Sequence, residues 1–180
     1  MTKFFKWALI VVAILVAVFV VGGMIIPAKW QVSESITMSS PKEVVYQQIA
    51  NLPNWQNWSP WTKEKDSTQV YTYEGPESGV GAKWLWTSEK MGQGYLEIKK
   101  ADPEAGIGYE LFIDMNNSRS TINGAMNFAA EGDALKVSWT DEGDSGNNLV
   151  KRWFSLFIKG MVAGEMRSGL EKLKAITEVK

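Results

Sequence analysis

The hydrophobic and polar positions of this chain fall into three regions of different spacing. Residues 7–26 are apolar or small without interruption, residues 30–140 mostly alternate, and residues 148–177 repeat every three to four positions. Alternation is the spacing of a strand with one buried face, and a repeat of 3.6 residues is that of a helix. The pattern therefore predicts an apolar helix, a series of strands and a long terminal helix.

The predicted strands are joined by short connections. A first strand at 30–38 precedes a short helix that has Pro41 at its first position and ends before Pro53, because proline suits the first turn of a helix and cannot continue one. The spacing of Trp55 and Trp58 predicts a single further helical turn. Six further strands are predicted at 69–73, 82–87, 94–100, 107–113, 118–128 and 135–140. Short connections indicate antiparallel pairing, since parallel strands need long crossovers. One apolar face per strand places the helices on one side of the sheet.

The terminal helix carries two apolar faces. The first combines large and small residues: Trp153, Phe157, Gly160, Met161, Gly164 and Ser168. The second is formed by Ala163, Met166, Leu170 and Leu173. A straight helix cannot present both faces to one flat partner, so we expect a kink or break near Gly160. The small residues of the first face favour either close packing on the sheet or an empty volume beside it.

Together these elements predict an α+β domain in which a curved antiparallel sheet of six to seven strands wraps round the terminal helix. A hydrophobic cavity between sheet and helix is expected to be lined by residues of the strands, of the segment 51–61 and of the terminal helix: Trp55, Trp58, Trp61, Trp84, Trp86, Ile98, Tyr109, Leu111, Ile122, Met126, Trp139, Trp153, Phe157, Met161 and Gly164. Aromatic surface of this kind suits an apolar ligand. Two possibilities stay open for Trp55, Trp58 and Trp61, which either plug the end of the core or gate the cavity mouth.

The uncharged segment 7–26 is long enough to cross a bilayer, since at 1.5 Å per residue it extends about 30 Å. A cleaved signal peptide has a shorter apolar core and a small-x-small cleavage site, which Val21-Gly22-Gly23 matches poorly. We therefore expect a single-pass anchor at 1–29 and a ligand-binding domain at 30–180. Lys3 and Lys6 precede the span, and this mild positive-inside bias predicts a cytoplasmic N-terminus with the domain outside the cell membrane.

The composition excludes several classes of chemistry. The chain has no Cys and no His, which excludes disulfides, thiol nucleophiles, Ser-His-Asp triads and His-ligated metals. Acidic residues outnumber basic ones between 51 and 148, so nothing supplies the basic stripe of a nucleic-acid-binding protein. On the apolar faces of the six later strands, as marked by Trp84, Ile98 and Trp139, we expect no charged residue. We therefore expect no metal, no cofactor and no catalysis, with Glu34 as the weak catalytic candidate because it shares the parity of an apolar face.

Five stretches in a fixed order carry a resemblance to a known family. They are SITMSSPKEVVYQQIANLPNWQNWSPW (35–61), YEGPESGVGAKWLW (73–86), GYLEIKKADPEAGIGYEL (94–111), LKVSWTDEGD (135–144) and GLEKLKAI (169–176). The chain resembles the START/Bet v 1-like, helix-grip (SRPBCC) superfamily, and within it the bacterial polyketide cyclase/dehydrase group. The resemblance implies a cavity for lipids, sterols, polyketides or similar molecules, and it does not imply catalysis, because this fold serves several functions.

Three functions remain as hypotheses from the sequence. The first is a membrane-anchored protein that binds a lipid-like or other hydrophobic small molecule. The second is an enzyme of the cyclase or aromatase kind, which would use the pocket shape with a Tyr or Glu34 for proton transfer. The third is a protein-interaction module whose core is filled and whose tryptophans face a partner.

Overall fold

The structure is a computed structural model that describes residues 3–178. In chain order its elements are α1 (Lys3–Ile25), β1 (Lys29–Met38), α2 (Lys42–Ala50), the 3-10 helix η1 (Leu52–Asn57), β2 (Val70–Glu74), β3 (Lys83–Ser88), β4 (Gly92–Asp102), β5 (Gly106–Met115), β6 (Ser118–Glu131), β7 (Ala134–Asp144) and α3 (Leu149–Thr177). The predicted α+β class and the predicted order of elements are confirmed.

The seven strands form one antiparallel sheet in the order β1-β7-β6-β5-β4-β3-β2. The strands from β2 to β7 pair with their sequence neighbours, and β1 adds to the far edge beside β7. At the turn between β5 and β6, Asn116 and Asn117 adopt positive φ angles of 52° and 64°. Two such residues in succession form the turn that matches the twist of a hairpin, and asparagine tolerates that conformation. The predicted meander is therefore observed.

Helices cover one side of this sheet, which we call the inner face. α2 buries Val45 and Ile49, and η1 buries Leu52 and Trp55. The last turns of α3 bury Met166, Leu170 and Leu173 against the same core. Apolar burial of this kind is the main force that holds helix and sheet together, at about 25 cal/mol per Å² of apolar surface removed from water.

The orientation of α3 differs from the expectation. The helix runs unbroken from Leu149 to Thr177, so the expectation of a break near Gly160 was wrong, and a kink there stays a prediction. The face that contains Phe157 and Met161 was expected to lie on the sheet, yet these side chains are 75% and 61% exposed. The physical reason is that the close approach occurs at Gly169, where a Cβ atom would lie 3.0 Å from both Pro60 and Trp139.

α1 is an apolar helix whose length and composition suit a membrane span, as they also suit a signal sequence. Only three residues, 26–28, separate it from β1. The Ser145 N–H donates to the Ala28 carbonyl over 2.8 Å, which ties this short connection to the end of β7. α1 therefore joins the domain at the end of the sheet where β1 begins and β7 finishes.

Candidate functional site

Four tryptophans form a packed cluster at the centre of the inner face. Trp139 of β7 is met by Trp55, Trp58 and Trp61 with ring centroids 5.8, 5.4 and 5.6 Å away, all at steep angles. Such edge-to-face arrangements are favourable for aromatic rings. The indole N–H of Trp55 donates to the Ile49 carbonyl over 2.9 Å, which fixes the ring to the end of α2. Trp55, Trp58 and Trp139 are almost fully enclosed, so they fill this part of the core.

A buried chain of hydrogen bonds leads from this cluster to a carboxylate. The Trp139 Nε1–H donates to the Tyr109 hydroxyl over 2.6 Å, and that hydroxyl donates to Asp141 Oδ1 over 2.6 Å. Within the described residues, the other oxygen, Oδ2, accepts no hydrogen bond. Removing a carboxylate from water disfavours its charged form, and burial raises the pKa of Asp141 to about 6 although the bond from Tyr109 acts against this. Burial also raises the pKa of Tyr109, and the neighbouring Asp141 adds to the increase.

Asp141 corrects the expectation that no charged residue lies on the inner face of the later strands. The predicted strand ended at Thr140, whereas β7 continues to Asp144. Asp141 therefore has the same parity as Trp139 and is only 4% exposed. The alternation Leu135, Val137, Trp139, Asp141 was present in the sequence, but a run of turn-forming residues after Thr140 concealed it.

Part of the inner face is not fully covered by helices. α3 packs mainly against β1 rather than over β5 and β6. As a result three inward-facing apolar side chains, Leu111, Ile113 and Ile122, are only partly buried. We call these three residues the inner strip. Ile122 pairs with Leu111 and lies two residues along β6 from Gly124, which pairs with Asp141.

The described residues form surface clefts, and two of these lie away from the space between α3 and the sheet. The larger, of about 400 Å³, is lined by residues that include Leu85, Tyr95 and Phe112, whose parity places them on the face of the sheet away from the helices. The smaller, of about 290 Å³, lies beside the turns at Gly92 and Asn116. An enclosed cavity between sheet and helix therefore stays a prediction.

The structure brings most of the predicted lining residues together. One core cluster contains Trp55, Trp58, Trp61, Trp84, Trp86, Ile98, Tyr109, Leu111, Met126 and Trp139, and Ile122 is paired with Leu111 beside it. Trp153, Phe157, Met161 and Gly164 lie apart from that cluster, on the first half of α3. Whether any of these residues touch a ligand stays a prediction.

Trp84 contributes a second unpartnered polar atom on the inner face. Its indole Nε1 is buried and has no hydrogen-bond partner within the described residues. Trp84 pairs with Leu96, which in turn pairs with Leu111 of the inner strip. A buried donor without a partner is costly, at about 1–3 kcal/mol, unless another molecule satisfies it.

Glu34, the weak catalytic candidate, forms an ion pair. Its two carboxylate oxygens accept hydrogen bonds of 2.9–3.1 Å from the Arg167 guanidinium, which ties β1 to α3. This ion pair explains why a carboxylate occupies position 34 without any catalytic role. A role of Glu34 as a base stays a prediction. Among residues 3–178 there is no group of three or more acidic side chains placed to hold a metal ion.

Comparison with known proteins places this geometry in a family. No curated protein matches the chain. Solved structures with the same fold include protein CV1439 from Chromobacterium violaceum (15% identity, 83% of this chain and 98% of that chain covered, TM-score 0.55). The Aha1 dimer from Colwellia psychrerythraea (14%, 83% and 97%, 0.58) and a hypothetical protein, jhp0584, from Helicobacter pylori (9%, 83% and 88%, 0.63) are also similar. The family profile described as "Polyketide cyclase / dehydrase and lipid transport" matches residues 29–178, and the chain therefore belongs to that family.

Proposed function

We propose that this chain is a membrane-anchored protein whose domain, residues 30–180, binds a lipid-like or other hydrophobic small molecule on the inner face of its sheet. The observation that carries the proposal is the inner strip, where Leu111, Ile113 and Ile122 face the helices and yet remain partly exposed. Partly exposed apolar side chains on a face that is otherwise tightly packed can contact an apolar ligand.

A membrane anchor suits this function. A sparingly soluble ligand partitions into the bilayer, so a tethered domain meets it at a high local concentration. α1 is long and apolar enough to serve as that anchor, and the lysines before it favour a cytoplasmic N-terminus with the domain on the other side.

The polar atoms near the inner strip narrow the class of ligand. Asp141 Oδ2 is an acceptor without a protein partner, and Trp84 Nε1 is a donor without one. A ligand that covers polar atoms binds best when it gives each of them a hydrogen-bond partner. We therefore expect a mainly apolar molecule that carries a hydroxyl or amine group toward Asp141.

The packed tryptophan cluster restricts where such a molecule binds. Trp55, Trp58 and Trp139 leave no room for it at the centre of the inner face, because all three are almost fully enclosed by protein. The ligand is therefore expected over the inner strip, between the first half of α3 and the strands β5 and β6. This position is closer to α1 than the centre of the core is.

The binding test uses the full chain purified in mild detergent. Native mass spectrometry and solvent extraction would identify bound apolar molecules, and a fluorescent long-chain alcohol would serve as the added probe. Ile122→Trp fills the inner strip and should weaken probe binding by about tenfold or more, which is 1.4 kcal/mol or more. Phe112→Ala, in the cleft on the opposite face of the sheet, is the matched control and should leave binding unchanged.

Two results would contradict the proposal. One is the absence of both a co-purified apolar molecule and probe binding. The other is loss of binding in Phe112→Ala but not in Ile122→Trp, because this would place the ligand in the outer cleft. The first result would favour an interaction module, which the filled tryptophan cluster also fits.

A second candidate function, proton transfer to or from the ligand, is favoured by the hydrogen-bonded pair of Tyr109 and Asp141. A carboxyl group whose pKa lies near 6 is suited to exchange a proton at neutral pH. If the domain is an enzyme, the molecule recovered from the wild type should differ chemically from the molecule recovered from Asp141→Asn. Recovery of the same unchanged molecule from both would exclude this function.

A further inference from the structure

We propose that the exposed apolar side of the first half of α3 lies in the lipid surface of the membrane that α1 enters. The inference rests on the membrane anchoring proposed above and adds a second contact between the domain and the bilayer. It concerns the apolar stripe, which we define as Val150, Phe154, Phe157 and Met161.

The members of the apolar stripe are spaced so that they share one side of the helix. Steps of four, three and four residues keep them within about 60° of one another around the axis. Their exposed fractions are high: Val150 65%, Phe154 58%, Phe157 75% and Met161 61%. Four large apolar side chains exposed together mark an interaction surface, because soluble proteins rarely leave such a patch in water.

The stripe points away from the sheet. The buried face of α3 passes through Ser155, Met166 and Leu170, on the opposite side of the helix from Phe157. The small residues Gly160 and Gly164 have no atom within 4 Å of an added Cβ, so nothing within the described residues packs on them either. The partner of this side must therefore come from outside the folded domain.

The stripe is continuous with the apolar surface of α1. The Trp153 indole stacks on Phe19 with centroids 6.2 Å apart, and its Nε1–H donates to the Phe19 carbonyl over 2.9 Å. Leu149 lies against Gly23 one turn earlier. The stripe thus begins where α1 leaves the membrane, and this continuity selects the bilayer as the partner.

Arg152 secures the same junction. Its guanidinium donates to the carbonyls of Gly23, Met24 and Ile26 over 3.3–3.4 Å. These are groups at the C-terminal end of α1 that have no partner within a helix, and a cation there also complements the helix dipole. The first turn of α3 is therefore held against the end of α1.

The charges of this half also fit a membrane surface. Residues 149–164 contain Lys151, Arg152 and Lys159 and no acidic residue. The three cations lie on the sides of the helix away from the stripe. Lys151 and Arg152 donate to backbone carbonyls of the protein, so what favours a membrane surface here is that no acidic residue lies beside the stripe to oppose contact with anionic lipid.

The test exploits the absence of cysteine, which allows single spin labels to be placed without removing any native residue. The full chain is reconstituted in vesicles of three parts phosphatidylethanolamine and one part phosphatidylglycerol. Labels are attached at Phe157→Cys in the stripe, at Lys172→Cys on the exposed surface of the second half of α3, and at Leu15→Cys in the middle of α1. Oxygen is concentrated in lipid, so faster relaxation of a spin label by oxygen indicates that the label is in lipid. Faster relaxation by a water-soluble nickel chelate indicates that the label is in water.

We expect the label at 157 to relax more with oxygen than with nickel, between the label at 15, deepest in lipid, and the label at 172, in water. If the label at 15 is also in water, the proposed anchoring fails. If the label at 15 is in lipid and the label at 157 is in water, only the present inference is overturned. Dipolar broadening between labels at 157 would overturn it as well, because a second copy of the chain would then cover the stripe.

Discussion

Each half of α3 carries an apolar face, but the two faces have different surroundings. In the second half Met166, Leu170 and Leu173 are almost fully buried against the sheet. In the first half Phe157 and Met161 are mostly exposed. The difference shows that helical periodicity predicts that a face has a partner, but it does not tell whether that partner is the same chain or something outside it.

The largest expected difference between the halves is in the free energy of unfolding. Leu170→Ala creates a cavity in the core and should cost about 2–5 kcal/mol. Phe157→Ala removes a larger side chain, but one that contacts little protein, so its effect in detergent should stay within about 0.5 kcal/mol. Denaturant unfolding of both variants in the same detergent measures this. Equal losses would mean that Phe157 packs inside the domain.

Asp141 lies where the packed part of the inner face meets the inner strip. Its titration tests how far water is excluded from that part of the inner face. Its folded pKa of about 6 lies above its ordinary value of 3.8, so the folded protein holds this proton more tightly than the unfolded chain does. The stabilisation is therefore complete below pH 4 and is lost as the pH rises through about 6. The loss amounts to about 3 kcal/mol.

Asp141→Asn should remove that dependence, because the amide stays neutral while its oxygen can still accept from Tyr109. The unfolding free energy of the variant minus that of the wild type should increase by about 3 kcal/mol between pH 3 and pH 8. Comparing the two proteins cancels the titration of all other groups. A difference that does not change with pH would show that Asp141 is well solvated, and the packed region would then be smaller than described.

Smaller changes in stability, of opposite sign, are expected when Gly164 in the first half and Gly169 in the second half are replaced by alanine. At Gly164 an added Cβ meets nothing, so Gly164→Ala should stabilise the helix by about 0.5–1 kcal/mol. At Gly169 it would lie 3.0 Å from the rings of Pro60 and Trp139, so Gly169→Ala should destabilise by about 1 kcal/mol. Thermal unfolding of the two variants measures both. Stabilisation by Gly169→Ala would show that α3 does not approach the tryptophan cluster so closely.

The smallest expected effect concerns the ion pair between Glu34 and Arg167. The Arg167 side chain is 66% exposed, so water screens the attraction. A double-mutant cycle with Glu34→Gln and Arg167→Met should give a coupling energy of about 0.2–1 kcal/mol. A coupling several times larger would mean that the middle of α3 is held to β1 more firmly than its exposure indicates.

Most of the fold was predictable because its signals are local. Alternation defined the strands, Pro41 and Pro53 bounded the first helix, and Asn116-Asn117 identified a turn. The choice between the faces of α3 was not predictable, because both faces are apolar and small residues occur on each. Gly169 decides the packing only through its contact with Trp139 and Pro60, which are distant in sequence.

The candidate site was predictable in its apolar part and not in its polar part. The aromatic residues that the strands place on the inner face, such as Trp84, Tyr109 and Trp139, were identified from parity alone. Asp141 was missed because strand ends are the least certain boundaries in a sequence, and the four additional residues at the end of β7 changed the chemistry of the face. The bond from Tyr109 to Asp141 joins residues 32 positions apart, and no local pattern indicates it.

The three-residue connection between α1 and β1 has a consequence for transport. Even fully extended, it reaches only about 10 Å, and Arg152 and Ser145 hold it at both sides. With α1 embedded as proposed, this connection is too short to let the domain move away from the membrane surface. The domain therefore cannot carry a ligand across an aqueous gap to another membrane. It can exchange molecules only with the leaflet beneath it or with a protein that comes to meet it there.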